Sequence, residues 1–231
     1  MKPWLSEEME HLFQQLHQQQ LRIICVASCN QECGSSTMSY WLAERCSVNQ
    51  TKVLLIDLDL SGSGQGYEPI PWETENKNKE QNLINKHRFL DILPQPQDQS
   101  TVLTLRQPHK LRYLLQYWQQ HYHYIICDTG NINTANWRNL PAVNIANASD
   151  GILLCLSAAK TTESKLLTSI TKLEKSNCNI IGIIINDQFN PTLAQRMLKS
   201  LNTKAWWLPE RIKAKITATL KNSQLLQGKY Q

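Results

Sequence analysis

Apolar and polar positions along this chain come in blocks, and the blocks have the lengths of strands and helices. The run LRIICVAS is apolar and rich in β-branched residues; it ends in a polar loop from Ser28 to Gly34 and leads into a helical pattern over Ser35 to Cys46. Apolar runs of this length, bounded by turn residues, predict strands buried on both faces. The alternation returns downstream, predicting strands at Lys52 to Asp57, Tyr122 to Asp128, Gly151 to Ser157 and Asn179 to Asn186, and helices over His109 to His121 and Thr161 to Ser176. Ahead of the first strand, Met9, Leu12, Phe13 and Leu16 recur at helical spacing behind Ser6, a good N-cap, so residues 6–20 read as an amphipathic entry helix. Helices between apolar strands are the signature of right-handed crossovers. The expected fold class is therefore α/β, a doubly wound, mainly parallel sheet of about seven strands.

Two stretches break the pattern. SGSGQG and the polar run ETENKNKEQN fall within residues 61–86, which read as a mobile surface loop, with regular structure resuming at Phe89 to Leu93. Towards the C-terminus, Ile212, Ile216 and Leu220 share one face of a helix expected over 210–226, with Lys213, Lys215 and Lys221 elsewhere on it. Docking on the sheet accounts for that face, and contact with an anionic membrane would be peripheral only. At 231 residues the expectation is a single domain over 1–231.

Composition narrows the class. Apolar residues make up 41% of the chain, enough for a buried sheet, and the net charge of +5 is scattered rather than massed, so nucleic acid is not an expected partner. The odd count of 7 cysteines, several inside strand-like runs, reads as buried thiols in a reducing compartment. With no apolar stretch of signal or membrane-spanning length, the expected location is the cytoplasm, peripheral at the inner membrane at most.

The chemistry sits at strand ends. A loop between the first strand and first helix can hold phosphate through backbone N–H groups and the helix N-terminus, and the pattern that does so is G-x-x-x-x-G-K-S/T. Here the segment is Ser28-Cys29-Asn30-Gln31-Glu32-Cys33-Gly34-Ser35-Ser36-Thr37. Gly34 matches the last glycine and Ser36 the magnesium-binding hydroxyl, whereas Ser35 stands at the lysine position and Cys29 at the first glycine. Gly34, Ser35, Ser36 and Thr37 are thus the candidate phosphate loop. Two further strands, VLLIDLDL and YHYIICDTG, end in Asp57 and Asp59 and in Asp128, at the edge where α/β sheets bind ligands. The simpler reading is that these aspartates open turns.

The order ASCNQECGSSTMSYWLA, VLLIDLDLSG, YHYIICDTGN, SDGILLCLSAAKTTESKL and NIIGIIINDQFNP resembles the deviant-Walker group that includes ParA and MinD ATPases and the cytoplasmic domains of bacterial tyrosine kinases. The likeness covers roughly Ile23 to Pro191. It implies that Asp57 and Asp59 organise magnesium and water, that Asp128 is the Walker B carboxylate, and that Ser36, Asp57 and Asp128 would hold Mg²⁺ alongside a nucleotide. Departures are clear: Ser35 and Asn30 replace the two lysines of the group, Glu8-x-x-His11-x-x-Gln14 lacks the arginines of the kinase assembly motif, and Tyr230 alone represents the tyrosine cluster. The expected cofactor state is none, or weak ATP or ADP with Mg²⁺.

Lesser constellations carry simpler readings. Cys25, Cys29 and Cys33 lack a fourth metal ligand, though Cys33 at a helix N-terminus suits a redox-sensitive thiol. His121 and His123 read as surface residues, and Trp206 and Trp207 as core. The functional expectation is a degenerate, non-catalytic assembly or positioning factor whose partner belongs to a membrane-associated envelope system for polysaccharide or cellulose synthesis or secretion, with self-association as a homodimer. Two alternatives stand beside it: an ATPase or tyrosine-kinase-like enzyme using a substitute lysine such as Lys160, and a DNA-binding partition factor.

Overall fold

The computed structural model describes residues 2–62, 64–72, 83–134, 139–158, 160–187, 193–204 and 209–222. After a short 3₁₀ turn at Pro3–Leu5, the first unit runs α1 (Glu7–Gln18), β1 (Ile23–Ser28), α2 (Ser35–Ser47), β2 (Val53–Leu58), β3 (Ile84–His87), β4 (Leu90–Leu93), α3 (Gln99–Leu105), α4 (Pro108–Gln119), β5 (Tyr124–Asn131), α5 (Ala142–Ala148), β6 (Gly151–Ser157), α6 (Glu163–Lys175) and β7 (Ile180–Asn186). The strands form one sheet in the order β3-β4-β2-β5-β1-β6-β7. Only β3 runs antiparallel, against β4. This is the doubly wound, mainly parallel α/β sheet that the apolar blocks predict.

Every residue of β1 and β2 is buried, which requires helices on both faces. Alternate side chains then go to opposite cores. Cys25, Leu54, Ile56, Ile125 and Cys127 pack with Leu111, Trp118 and Ile145 from α4 and α5. Ile24, Val26, Leu55 and Ile126 face the other way, onto Leu16 of α1 and Leu42, Ala43 and Cys46 of α2. The entry helix is capped by Ser6, whose hydroxyl accepts from Met9 N at 3.4 Å, and Arg45 of α2 clamps it through Glu10 at 2.5 Å, with the guanidinium 4.0 Å above the Phe13 ring.

The expected mobile loop over 61–86 needs correction at both ends. Ile84–His87 is an edge strand, too short and too polar to show a period of two. Upstream, Ile70 exchanges backbone bonds with Gln95 and Gln97 at 2.9 and 2.8 Å, and Trp72 Nε1 donates to Pro94 O at 2.8 Å. Residues 73–82 lie outside the described residues.

Residues Met1–Asn186 form one compact unit and Asp187–Gln231 a second, where the sequence reading counts one domain over 1–231. All seven strands of the sheet lie within the first unit. That unit contains α7 (Leu193–Lys204), which the sequence reading leaves unassigned, and α8 (Glu210–Asn222), with Leu220 buried and Ile212 exposed. Positions 223–226 of the expected helix, Trp206, Trp207 and Tyr230 lie outside the described residues. Among the described residues no helix is long and apolar enough to cross a membrane.

Candidate functional site

The C-terminal ends of β1, β2 and β5 meet at one edge of the sheet, and α2 starts there. Strand register does the placing: β2 and β5 are adjacent and parallel with Asp57 opposite Asp128. In-register residues of parallel neighbours point to the same face, so the two carboxylates are brought together by backbone pairing alone. Both are fully buried. In front of them lies a cleft of about 500 Å³ lined by Glu32, Gly34, Ser35, Ser36, Thr37 and Asp59, among others.

The loop from β1 bends into α2 at Gly34, whose φ of 84° lies in the left-handed region. A Cβ there would come within 2.6 Å of Asn186 Nδ2, which itself donates to Cys33 O at 3.1 Å. A glycine at that position therefore answers two constraints at once. The first turn of α2 has no side-chain cap and no acidic residue, and its residues Ser35, Ser36 and Thr37 line the cleft at the positive end of the helix dipole. Asn30, at the second lysine position of the resemblance, is buried, and its Oδ1 accepts from Thr161 Oγ1 at 2.6 Å. One cation does reach the loop: Lys160, in the turn after β6, pairs with Glu32. That bond is the first reason the Glu32 carboxyl is held below its usual range.

The three expected aspartates part company. Asp59 folds onto its own turn, its Oδ1 accepting from Ser61 N at 3.1 Å and Ser61 Oγ at 2.5 Å, as the turn-opening reading would have it. Asp57 Oδ2 accepts from Gln65 N at 2.7 Å, and its Oδ1 from Asp59 N at 3.2 Å. Asp128 Oδ2 accepts from the Gln65 side-chain amide at 2.7 Å, and the same nitrogen donates to Ser36 O at 2.9 Å. Ser39 Oγ donates to Ser35 O at 2.8 Å and lies 3.2 Å from Asp128 Oδ1. Burial, then the neighbouring Asp57 charge, pushes Asp128 up to about 8. Burial also raises Asp57, to about 6, against the opposing pull of the Gln65 and Asp59 amides and the Gln95 side chain. Both shifts act against the doubly ionised state of the pair.

Gln65, Gln95 and Ser39 join Glu32 of the loop segment in forming this site, and the sequence reading singles out none of those three for it. Ser39 had a signal, since it lies one helical turn after Ser35. Gln65 had none, sitting in a glycine-rich stretch that reads as flexible. Of the other candidates, Cys29 and Cys33 are buried under the loop, burial raising the Cys29 thiol. His121 and His123 are exposed, as are Glu8, His11 and Gln14 on α1. Among the described residues no group of three or more His, Cys, Asp or Glu side chains is arranged to hold a metal.

No family model matches the chain, and no curated protein does. Solved structures do. The kinase domain of the Escherichia coli tyrosine kinase ETK superposes with a TM-score of 0.64 at 21% identity, over 78% of this chain and 74% of that one. The VpsO kinase domain gives 0.62 at 24% identity, over 78% and 97%. A ParA family ATPase from Chlorobium tepidum gives 0.53 at 14% identity, over 87% and 99%. The chain thus has the α/β P-loop NTPase-like fold shared by ParA/MinD-type ATPases and bacterial tyrosine kinase domains.

Proposed function

We propose that this chain is a non-catalytic protein on a ParA/MinD-like fold, working as an assembly or positioning factor. Its partner belongs to a membrane-associated machine of the bacterial cell envelope, in polysaccharide or cellulose synthesis or secretion. It acts from the cytoplasm, in contact with the inner membrane only through that partner. The reading of the partner rests on the tyrosine kinase domains among its structural neighbours.

The observation that carries the non-catalytic reading is the charge balance of the cleft. Ser35 stands where a lysine would meet the β and γ phosphates, and the cation that reaches the loop among the described residues, Lys160, is already matched by Glu32. A missing charge-assisted contact of about 1.5–3 kcal/mol weakens ATP by about tenfold to a hundredfold. Mg²⁺ fits the donor set poorly. It requires carboxylate and water oxygens at about 2.0–2.1 Å in an octahedron, whereas the oxygens of Asp57 and Asp128 accept N–H groups from Gln65. Phosphoryl transfer needs positive charge held at the transferred group, and the loop supplies amides and hydroxyls.

Titration calorimetry of ATP with Mg²⁺, paired with a phosphate-release assay, tests this reading. Binding weaker than about 100 μM and no turnover are expected. Micromolar binding with turnover abolished by Asp128→Ala would overturn it. One observation favours a second reading, an ATPase in which Lys160 swings from Glu32 to the phosphates; turnover lost in Lys160→Ala would establish that instead.

A further inference from the structure

Gln65 occupies the point where the carboxylates and the phosphate-loop helix converge. A primary amide has two N–H groups, and here the same nitrogen meets two acceptors, Asp128 Oδ2 at 2.7 Å and Ser36 O at 2.9 Å. The backbone N–H of the same residue meets Asp57 Oδ2 at 2.7 Å. One residue therefore ties β2, β5 and the start of α2 together, contacting both buried carboxylates and the backbone of the one hydroxyl residue that matches a metal ligand. Gln95 secures the turn from the other side, its amide donating to Asp59 O at 2.8 Å and Gly62 O at 3.3 Å. The fit is close. The preceding Gly64 lies so near Asp57 that an added Cβ would sit 2.1 Å from Oδ2.

We infer that Gln65 is a built-in replacement for a divalent cation, an internal amide ligand that closes the Asp57–Asp128 pair and bars a metal from it. This deepens the non-catalytic reading and rests on it. Donor chemistry carries the argument. A hard cation and an N–H donor compete for the same lone pairs, and an ion bound at Asp128 Oδ2 needs that oxygen to be vacated. An oxygen that accepts an N–H at 2.7 Å has no space on that side for an ion with its waters. Side-chain length matters too. Asparagine keeps the amide and loses one methylene, so it cannot span from the turn to Asp128 while its own N–H remains on Asp57.

The test is Mn²⁺ titration of the full chain at pH 8, read by the loss of the free-ion paramagnetic resonance signal. Gln65→Ala and Gln65→Asn are expected to bind Mn²⁺ at least about tenfold more tightly than the wild type. Combining Gln65→Ala with Asp128→Asn should cancel the gain. A gain of less than about twofold, a gain that survives Asp128→Asn, or a wild type that itself binds Mn²⁺ through Asp128 would each overturn the inference. None of these depends on ATP turnover by the wild type, which is what decides the proposed function. A second readout needs no variant: the Gln65 side-chain amide protons should exchange slowly with water in the wild type, and exchange at the rate of a free glutamine amide would equally overturn it.

Discussion

Asp128→Asn isolates the electrostatics of the buried pair, because it exchanges a titrating carboxyl for a group of the same shape that cannot ionise. Hydrogen bonding says how the neutral acid is held. Ser39 Oγ lies within donor reach of both Ser35 O at 2.8 Å and Asp128 Oδ1 at 3.2 Å, while Oδ2 accepts from Gln65 at 2.7 Å. An asparagine keeps its oxygen on the Gln65 amide and sets its NH₂ against Ser39 Oγ, whose one proton then goes to Ser35 O. Burial and the Asp57 charge raise the folded-state value of Asp128 from 3.8 to about 8. The folded chain therefore binds this proton more tightly than the unfolded chain does. The resulting stability is complete below the unfolded value and is lost as pH rises towards the folded one. Asp57, raised to about 6, contributes in the same sense over the lower part of that window. Above it Asp128 acts alone. One proton gives a slope of at most about 1.4 kcal/mol per pH unit, so the stability of Asp128→Asn relative to wild type should grow by roughly 2 kcal/mol from pH 6 to 8. Urea unfolding followed by tryptophan fluorescence at pH 5, 6, 7 and 8 measures it. A difference between variant and wild type that stays constant across pH 6–8 would mean that Asp128 does not change its protonation on unfolding in that range.

Two further substitutions follow from the same geometry. Gly64→Ala places a Cβ 2.1 Å from Asp57 Oδ2 at a residue with φ of 48°, while Gly66→Ala, at φ 78°, meets nothing within 4 Å. The first should cost at least about 2 kcal/mol and the second only the backbone term of about 1 kcal/mol; equal urea midpoints for the two would count against the close packing of the turn on Asp57. Ser35→Lys restores a cation at the mouth of the loop and should tighten ATP binding by about tenfold in calorimetry; unchanged affinity would mean that the cleft excludes the nucleotide by shape rather than by charge.

Legibility in the sequence followed burial. β1, β2, β5 and β6 are enclosed on both faces, so they read as unbroken apolar runs and their ends were placed within a residue or two, apart from the last residues of β5. Two of the segments that escaped carry weak periods: α5 is AVNIANA, seven residues with little amphipathic contrast, and β3 is INKH, an edge strand with an exposed centre. Asp57 and Asp128 were legible because an acid at the end of a buried strand is conspicuous. Their partners were not. Gln65 acts through contacts to residues 8, 29 and 63 positions away, and Lys160 meets Glu32 across 128 residues. Nothing in local spacing encodes such contacts, since the turn that carries Gln65 is ordered by what it touches and not by its own glycine-rich composition.

The glutamine at this site changes what the fold needs in order to be stable. Two carboxylates adjacent in register at the heart of a sheet repel each other and lose their hydration. A divalent cation would remove both penalties, and such a site is stable only when loaded. An amide removes neither charge, but it satisfies the lone pairs, and the raised affinity of Asp128 for its proton takes care of the repulsion. The cost is that stability falls with rising pH instead of with falling metal concentration. The gain is a cleft edge whose conformation no longer depends on a ligand. A nucleotide-driven switch requires that its two states bind the ligand with different free energies; a site already closed by its own side chains has little such difference to offer. On the proposed reading, that is the property an assembly factor needs, a surface that is presented continuously to its partner.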